Sequence, residues 1–351
     1  MTTDRSAAGR PTLEAVARRA GVSRSTVSRV INGQPAVSPD AVRRVREVVR
    51  ELGYVPNQNA RSLVTRRSDT VAVVITEPQH RLFVDPYFSL QQHGIRRELV
   101  ERGSYPVLLF IEEPEDYARV EDFLSRGHVD GALLLSLRAD DPLPDMTDRL
   151  ALPAVCVGRR PPFGRAESDR YLYVNSDNRG GAREAVRHLV GLGRRAVATI
   201  TGAMEQTAAV DRLRGYRDVL PDAAPEMVVE GDFTEAGGAA AMRRLLDRNP
   251  DVDAVFVASD LMAAGALRVL RERGRRVPED VAVVGFDDIP AIAEATDPPL
   301  TTVNQDAEEL GRLMARTLLD HIADCAAGEA VDRTPFTPVI MPTRLVLRAS
   351  A

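Results

Sequence analysis

Apolar residues recur with helical spacing at the start of the chain and in strand-length runs after it. Leu13, Val16, Ala17 and Ala20 fall at i, i+3, i+4 and i+7. That predicts a short helix capped by Thr12 and ended by Gly21, with Val22 facing inward. Val27, Val30 and Ile31 mark a second helix, capped by Ser23 and stopping at Asn32-Gly33. Ser38-Pro39-Asp40 joins a cap, a proline suited to the first helical position and an acid on the helix dipole. The third helix it starts presents Val42, Val45, Val49 and Leu52. Two short helices joined by a glycine turn make a helix-turn-helix. Tyr54-Val55-Pro56-Asn57 closes the third helix, and Asn57 can cap a fourth, NQNARSLV, which is under two turns and marginal alone.

From Val71 onward the pattern changes. β-Branched runs (TVAVVI, PVLLFI, GALLL, AVCVG, AVATITG, MVVEGD, DAVFVAS, VAVVGF) alternate with amphipathic stretches such as 180–192 and 261–273. Apolar strands separated by helices imply parallel sheets covered on both faces. The runs are too many for one six-stranded unit, and the pattern restarts near Val174. Two similar doubly wound α/β lobes are expected.

Charge sharpens this division. Residues 1–67 carry 13 Arg against 5 acids, a net of +8, while the remainder nets −13 within a total of −5. A basic head on an acidic body fits a polyanion-binding module joined to something else. All 46 basic residues are Arg, which reads as a coding bias without functional content. No run of 18 apolar residues marks a membrane span, and the N-terminus lacks the apolar core of a signal peptide. A cytoplasmic protein is expected, nucleoid-associated when bound to DNA. Cys156 and Cys325 are too few and too far apart for a disulfide framework or a zinc site.

In a helix-turn-helix the second helix enters the major groove and its first residues meet base edges. Arg24 and Ser25 are assigned to bases, while Arg29 reads a base or holds the backbone. Thr12, Ser23, Thr26, Ser28 and Asn32 are phosphate contacts or simple caps.

The stretch TLEAVARRAGVSRSTVSRVINGQPAVSPDAVRRVREVVRELGYVPNQNARSL closely resembles the N-terminus of the LacI/GalR (lactose-repressor) family. The body carries the likeness on through VNSDNRGGAREAVRHLVGLGRR, DAVFVASDLMAAGALRVLRERGRRVPEDVAVVGFDDIP and PPLTTVNQD. The resemblance implies that NQNARSLV is a hinge helix that folds on operator DNA. It adds Tyr54, Asn57, Ala60 and Leu63 to the DNA-contacting set, with Leu63 as the wedge at the central base step. It also implies a periplasmic-binding-protein-like body whose chain crosses between lobes near Tyr173, Gln305 and Phe336. The expected domains are a headpiece over 1–56, a hinge and linker over 57–69, and an effector-binding and dimerisation body over 70–351. Within the body, lobe 1 takes 70–173 and 305–335, and lobe 2 takes 174–304 and 336–351.

Ligands of such sheets sit beyond the carboxyl ends of the strands. Glu77, Glu112, Ser136, Gly158-Arg159, Gly202, Asp232-Phe233, Ser259-Asp260 and Asp287-Asp288 follow the runs. The resemblance assigns effector contacts to Arg212, Phe233, Ser259, Asp287 and Gln305, with Phe88 as an aromatic wall; Ser136 joins them by its place after a strand. Each has a structural alternative: an ion pair for Arg212 and Asp287, core packing for the two phenylalanines. Asp260 is either a ligand or the cap of the following helix. Gly158-Arg159 departs from the Asp-Arg common in the family, and Ala208 lacks the hydroxyl often found four residues before the matching arginine. The smaller side chains suit a larger ligand, such as the oligosaccharide cellobiose.

Enzyme readings lack a carrier. There is no GxxxxGK[ST] loop and no strand-GxGxxG, the five histidines are isolated, and Asp287 and Asp288 should point apart. No cofactor or metal is expected. The chain reads as a sequence-specific transcriptional regulator, a homodimer or higher oligomer on a pseudo-palindromic operator, released by a small carbohydrate. The alternatives are a ligand-dependent co-repressor of the purine-repressor type and a sugar-modifying enzyme with a DNA-binding head.

Overall fold

A computed structural model describes residues 11–31, 37–54, 67–158, 171–327 and 337–351. Asn32, Asn57, Ala60, Leu63, Arg159 and Phe336, with the expected hinge helix, lie outside them. The chain divides into two units, Met1–Ser68 and Asp69–Ala351.

The first unit holds three helices, α1 (Leu13–Ala20), α2 (Arg24–Ile31) and α3 (Pro39–Leu52). Thr12 Oγ1 accepts from Ala15 N at 3.2 Å, and Gly21 ends α1 at φ 65°, a left-handed conformation that glycine adopts without a Cβ penalty. Ser23 Oγ accepts from Thr26 N at 3.1 Å, and Ser38 caps α3 ahead of Pro39. Val16, Val27 and Val45 are wholly buried at the centre of the bundle. On α3 the inward stripe is Ala41, Val45 and Val48, while Val42, Val49 and Leu52 are half-buried at its rim. The buried stripe lies about one residue from the expected one, with Val45 common to both.

The second unit contains two six-stranded sheets. Lobe 1 builds its sheet from β1 (Thr70–Ile75), β2 (Tyr105–Phe110), β3 (Gly131–Leu135), β4 (Ala154–Val157), β5 (Tyr173–Ser176) and β11 (Val339–Met341). Lobe 2 uses β6 (Val197–Thr201), β7 (Val228–Glu230), β8 (Ala254–Val257), β9 (Ala282–Asp287), β10 (Thr301–Asn304) and β12 (Arg344–Val346). The first sheet has order β11-β5-β4-β3-β1-β2 and the second β12-β10-β9-β8-β6-β7. Every strand pair is parallel except β10 with β12. Both faces are covered, so alternate residues of one strand serve different cores. Val71, Val73 and Ile75 join one cluster, and Ala72 and Val74 the other.

The lobe borders differ from the expected ones. β5 pairs with β4 in the first sheet, so the first crossing follows Ser176 rather than Tyr173. β11 pairs with β5, so the third crossing lies between Met341 and Arg344, not near Phe336. β5 is a short inner strand and β11 the short edge beyond it, each too brief to show as an apolar run. The second crossing falls where expected, between β10 and Ala307, the start of a helix that returns to lobe 1.

Lobe 1 carries α4 (Gln79–Val84), α5 (Pro86–Glu101), α6 (Pro114–Ser125) and α7 (Leu143–Arg149). Lobe 2 carries α8 (Asn178–Gly191), α9 (Thr207–Val219), α10 (Glu235–Arg248), α11 (Asp260–Glu272) and α12 (Pro290–Ala293). Of these, α4, α5, α9 and α11 position the site. The returning helix, α13 (Ala307–Ala326), packs closely on α5. A Cβ added to Gly94 or Gly311 would overlap the backbone oxygen of the facing helix. No described helix is long and apolar enough to cross a membrane.

Candidate functional site

In the first unit, the residues opposite the buried valines of α2 form an exposed polar face. Arg24, Ser25 and Arg29 are exposed, while Thr26 and Ser28 are half-buried. Ser23 Oγ lies 2.8 Å from both Ser25 Oγ and Thr26 Oγ1, so this hydroxyl cluster is ordered by the cap itself. Arg24 pairs with Glu14 at 3.1 Å, both side chains more than half exposed. Such a pair is worth little and yields readily to a competing anion or base edge. Thr12 serves as a cap by accepting, which leaves its hydroxyl proton for a further contact, whereas Ser23 caps from within the hydroxyl cluster. Tyr54 packs half-buried against the helical core.

In the second unit, a cleft of about 750 Å³, open mouth included, is lined from both lobes. Phe88, Ser136, Arg212, Phe233, Ser259, Asp287 and Gln305 all line it. Ser136 follows β3, Ser259 follows β8, Asp287 ends β9 and Gln305 follows β10. These are the carboxyl ends of parallel strands, where backbone N–H groups and loops are free to serve a ligand. Ser136, Phe233 and Asp287 have φ of 59°, 64° and 116°. Non-glycine residues held there cost roughly 1–3 kcal/mol each and tend to mark ligand sites.

Arg212 is the anchor of the lobe 2 side. Its side chain is buried, with Nε donating to Asn178 Oδ1 at 2.8 Å. Nη1 donates to the Ala258 carbonyl and reaches Asp287 Oδ1 at 3.4 Å. The guanidinium lies 3.7 Å from the centroid of the Phe286 ring. Gln305 Nε2 donates to Asp287 Oδ1 at 2.5 Å. Burial pushes the Asp287 carboxyl up to about 7 although Arg212 pulls the other way, and Asp85 pushes it further up. Burial also lowers Arg212 and raises Asp85 and the Tyr87 hydroxyl from their ordinary values.

Asp260 takes neither of its expected roles. Ser259 Oγ caps α11 by accepting from Met262 N at 3.2 Å. Asp260, wholly buried, instead accepts from Ile289 N at 2.9 Å and Thr302 Oγ1 at 2.5 Å, tying α11 to β10 and the loop after β9. Asp287 and Asp288 face different partners. Asp288 accepts from Arg348 at 2.7 Å and Asn304 at 3.0 Å, away from Arg212. Gly158 also lines the cleft at φ 76°, and a Cβ there would lie 2.8 Å from Thr207 Oγ1 of the opposite lobe. The position favours glycine twice over, by conformation and by space.

Several lining residues were not in the expected set. Tyr87 meets Phe88 edge-on at 5.6 Å, and Arg81, Asp85, Asn178 and Gln206 border the same space. Asp85-Pro86 carried a readable signal: it caps α5 by accepting from Tyr87 N at 3.1 Å. Arg81 sits on α4, whose single turn and a half has no periodicity to read. The charged lining balances, Arg81 and Arg212 against Asp85 and Asp287 among the described residues. Among those residues no cluster of His, Cys, Asp or Glu could hold a metal, and Cys156, buried, and Cys325, exposed, form no disulfide.

Residues 12–57 match the model of bacterial regulatory proteins of the lacI family, and residues 186–351 that of a periplasmic binding protein-like domain. The chain is 50% identical over 345 residues to the HTH-type transcriptional regulator CelR of Thermobifida fusca, covering 97% of this chain and 98% of that protein. Among solved structures, a transcriptional regulator CelR–cellobiose complex matches at 47% identity and TM-score 0.75, over 97% of this chain and 100% of that one. The lac repressor dimer bound to operator and the anti-inducer ONPF matches at 27% identity and TM-score 0.82, over 97% and 99%.

Proposed function

The chain belongs to the lacI family of bacterial regulatory proteins, a DNA-binding transcriptional regulator and not an enzyme, and from that premise we propose that it is a repressor released from its operator by a neutral β-linked disaccharide such as cellobiose. One observation carries the effector assignment: hydroxyl-gripping groups and three aromatic rings converge on a cleft whose described charges cancel. Sugars need paired donors and acceptors with an apolar wall for the ring face. A sugar phosphate would need a surplus of positive charge, which balanced pairs do not supply. The likeness to a regulator whose structure holds cellobiose supports the same class. Arg212, Asp287, Ser259, Gln305 and Ser136 bind hydroxyls in this reading, and Phe88 and Phe233 flank the rings.

On the DNA side, Arg24 and Ser25 read bases and Arg29 reads a base or holds a phosphate. Thr12, Ser23, Thr26, Ser28 and Asn32 hold the backbone. Tyr54, Asn57, Ala60 and Leu63 belong to the minor-groove contact, with Leu63 as its wedge. A homodimer places two such headpieces on a pseudo-palindrome in the cytoplasm, where the regulator associates with the nucleoid. Headpiece, hinge and body divide at 56 and 69. Effector and operator compete for one conformational equilibrium, so each weakens the other by the same factor.

The test is operator release, read by fluorescence anisotropy of a labelled promoter fragment, against a panel of mono- and oligosaccharides. Release by cellobiose and weaker release by glucose is the expected result. A sugar that tightens the complex reverses the sign to co-repression. Equal retention of the fragment with every sugar refutes the effector reading.

A further inference from the structure

Arg81 is the second cation of the cleft, and α4 brings it there from lobe 1. Its Nη1 donates to Glu77 Oε2 at 2.7 Å, with 13% of the arginine and 4% of the glutamate side chain exposed. Glu77 also accepts from Gln206 Nε2 of lobe 2 at 2.7 Å, and the backbones of Arg138 and Gln206 form a bridge beside it. The guanidinium carbon lies 5.7 Å from the Phe88 centroid and 5.6 Å from that of Phe233, one ring from each lobe. Within this frame Arg81 Nε is buried and has no hydrogen-bond partner. A buried donor left unpaired is destabilising, so an oxygen that reaches it recovers that loss.

The two cations serve different regions of the cleft. Arg212 is tied to Asn178 and Asp287, and Tyr87 feels both Arg212 and Asp287. Arg81 is tied to Glu77 and lies against the Phe88 and Phe233 rings. Two donor sets with different partners, one of them beside two aromatic rings, match a ligand with two sets of oxygens joined by a linkage. Both cations are neutralised by carboxylates, so the matching oxygens are hydroxyl or ring oxygens.

We infer that Arg81 is a specificity-determining effector contact, whose Nε donates to an oxygen of the second sugar unit while Arg212 holds the first. This rests on the carbohydrate reading above and adds to it a residue that selects disaccharides. Glu77 is the positioning residue: its ion pair with Nη1 fixes the guanidinium beside the two rings. Gln206 links that carboxylate to the opposite lobe.

The test uses the full-length dimer and cellobiose, with binding measured by calorimetry for the native protein, Arg81→Met and Arg81→Lys. The lysine variant keeps the charge beside Glu77 but has no Nε donor. Both variants should bind the operator fragment as the native protein does in the absence of sugar, which shows that they fold. Each should lose cellobiose affinity by roughly 10- to 100-fold, the range of a hydrogen bond with one charged partner. The same titrations with single-deoxy and ring-carba cellobioses locate the contact. One analogue should bind poorly to the native protein yet lose no further affinity in Arg81→Met, a coupling that a merely structural role would not produce. Unchanged cellobiose affinity in both variants, or losses that are uniform across all analogues, would overturn the inference. A native protein that ignores cellobiose and glucose alike overturns the carbohydrate reading itself.

Discussion

Effector affinity should fall as the solution becomes acidic, and Asp287 sets the pH at which it does. Desolvation raises this carboxyl to about 7 in the empty cleft, with Asp85 adding to the rise and Arg212 and Gln305 opposing it. Sugar hydroxyls donate to the ionised carboxylate, so the ligand binds the form that a proton removes. At pH 6 about one molecule in ten carries that form, and at pH 8 about nine in ten. The apparent Kd should therefore rise roughly tenfold from pH 8 to pH 6, with close to one proton released per site at the lower pH. Asp85, also raised by burial, titrates in the same direction, whereas Asp260 is sequestered by Ile289 and Thr302. Calorimetry in two buffers of different ionisation enthalpy measures both quantities at once. Asp287→Asn should flatten the profile while weakening binding at pH 8. Affinity that rises on acidification, or no proton release at pH 6, would refute the reasoning.

Other consequences can be checked independently. A Cβ on Gly202 would overlap the Phe233 ring, so Gly202→Ala should push that wall aside and weaken cellobiose binding while leaving sugar-free operator affinity unchanged; equal effector affinity would remove Phe233 from the site. Gly311→Ala should lower the thermal midpoint through an overpacking cost of about 1–3 kcal/mol where α13 meets α5, and an unchanged midpoint would mean that the helices separate freely. Arg24→Ala should relax base preference at one position per half-site by about 1–3 kcal/mol, read by a binding profile over all single-base operator variants. A profile identical at every position would assign Arg24 to the backbone.

The parts legible in the sequence were those written in local periodicity. Thr12, Gly21, Ser23 and Ser38 each announce a helix end, and each occupies that end in the fold. The eight long β-branched runs all became strands because parallel strands buried on both faces need unbroken apolar residues. β5 (YVNS) and β10 (TTVN) escaped because at least half of each is polar, and β11 (VIM) and β12 (RLV) because they follow one another with no helix between them, outside the strand–helix alternation. The lobe borders moved with them. The strand-end rule placed Ser136, Ser259 and Asp287 in one cleft, but it could not distinguish ligand from cap at Ser259-Asp260. That choice depends on the distance to β10, 42 residues on, where Thr302 meets Asp260. Arg81 was illegible for the same reason: only its approach to Phe233, across the cleft, gives it meaning.

Gly158 shows how the cleft trades one specificity for another. The resemblance leads one to expect a carboxylate here, yet φ is 76° and the neighbouring space belongs to Thr207 Oγ1 of the other lobe. A carboxylate would have to bear the backbone strain and push the lobes apart, so the acidic groups available to a ligand come from Asp85 and Asp287 instead. Those two stand in desolvated surroundings that raise both of them, which makes their charge sensitive to what fills the cleft. A ligand that supplies hydroxyl donors restores the ionised form and pairs the arginines more strongly. Filling the cleft then strengthens contacts that span both lobes, and that difference in free energy is what an effector must supply to shift the equilibrium between lobe arrangements. A ligand that bound Arg212 and Asp287 alone would engage lobe 2 without engaging Arg81, and would bias that equilibrium less than a ligand long enough to reach both.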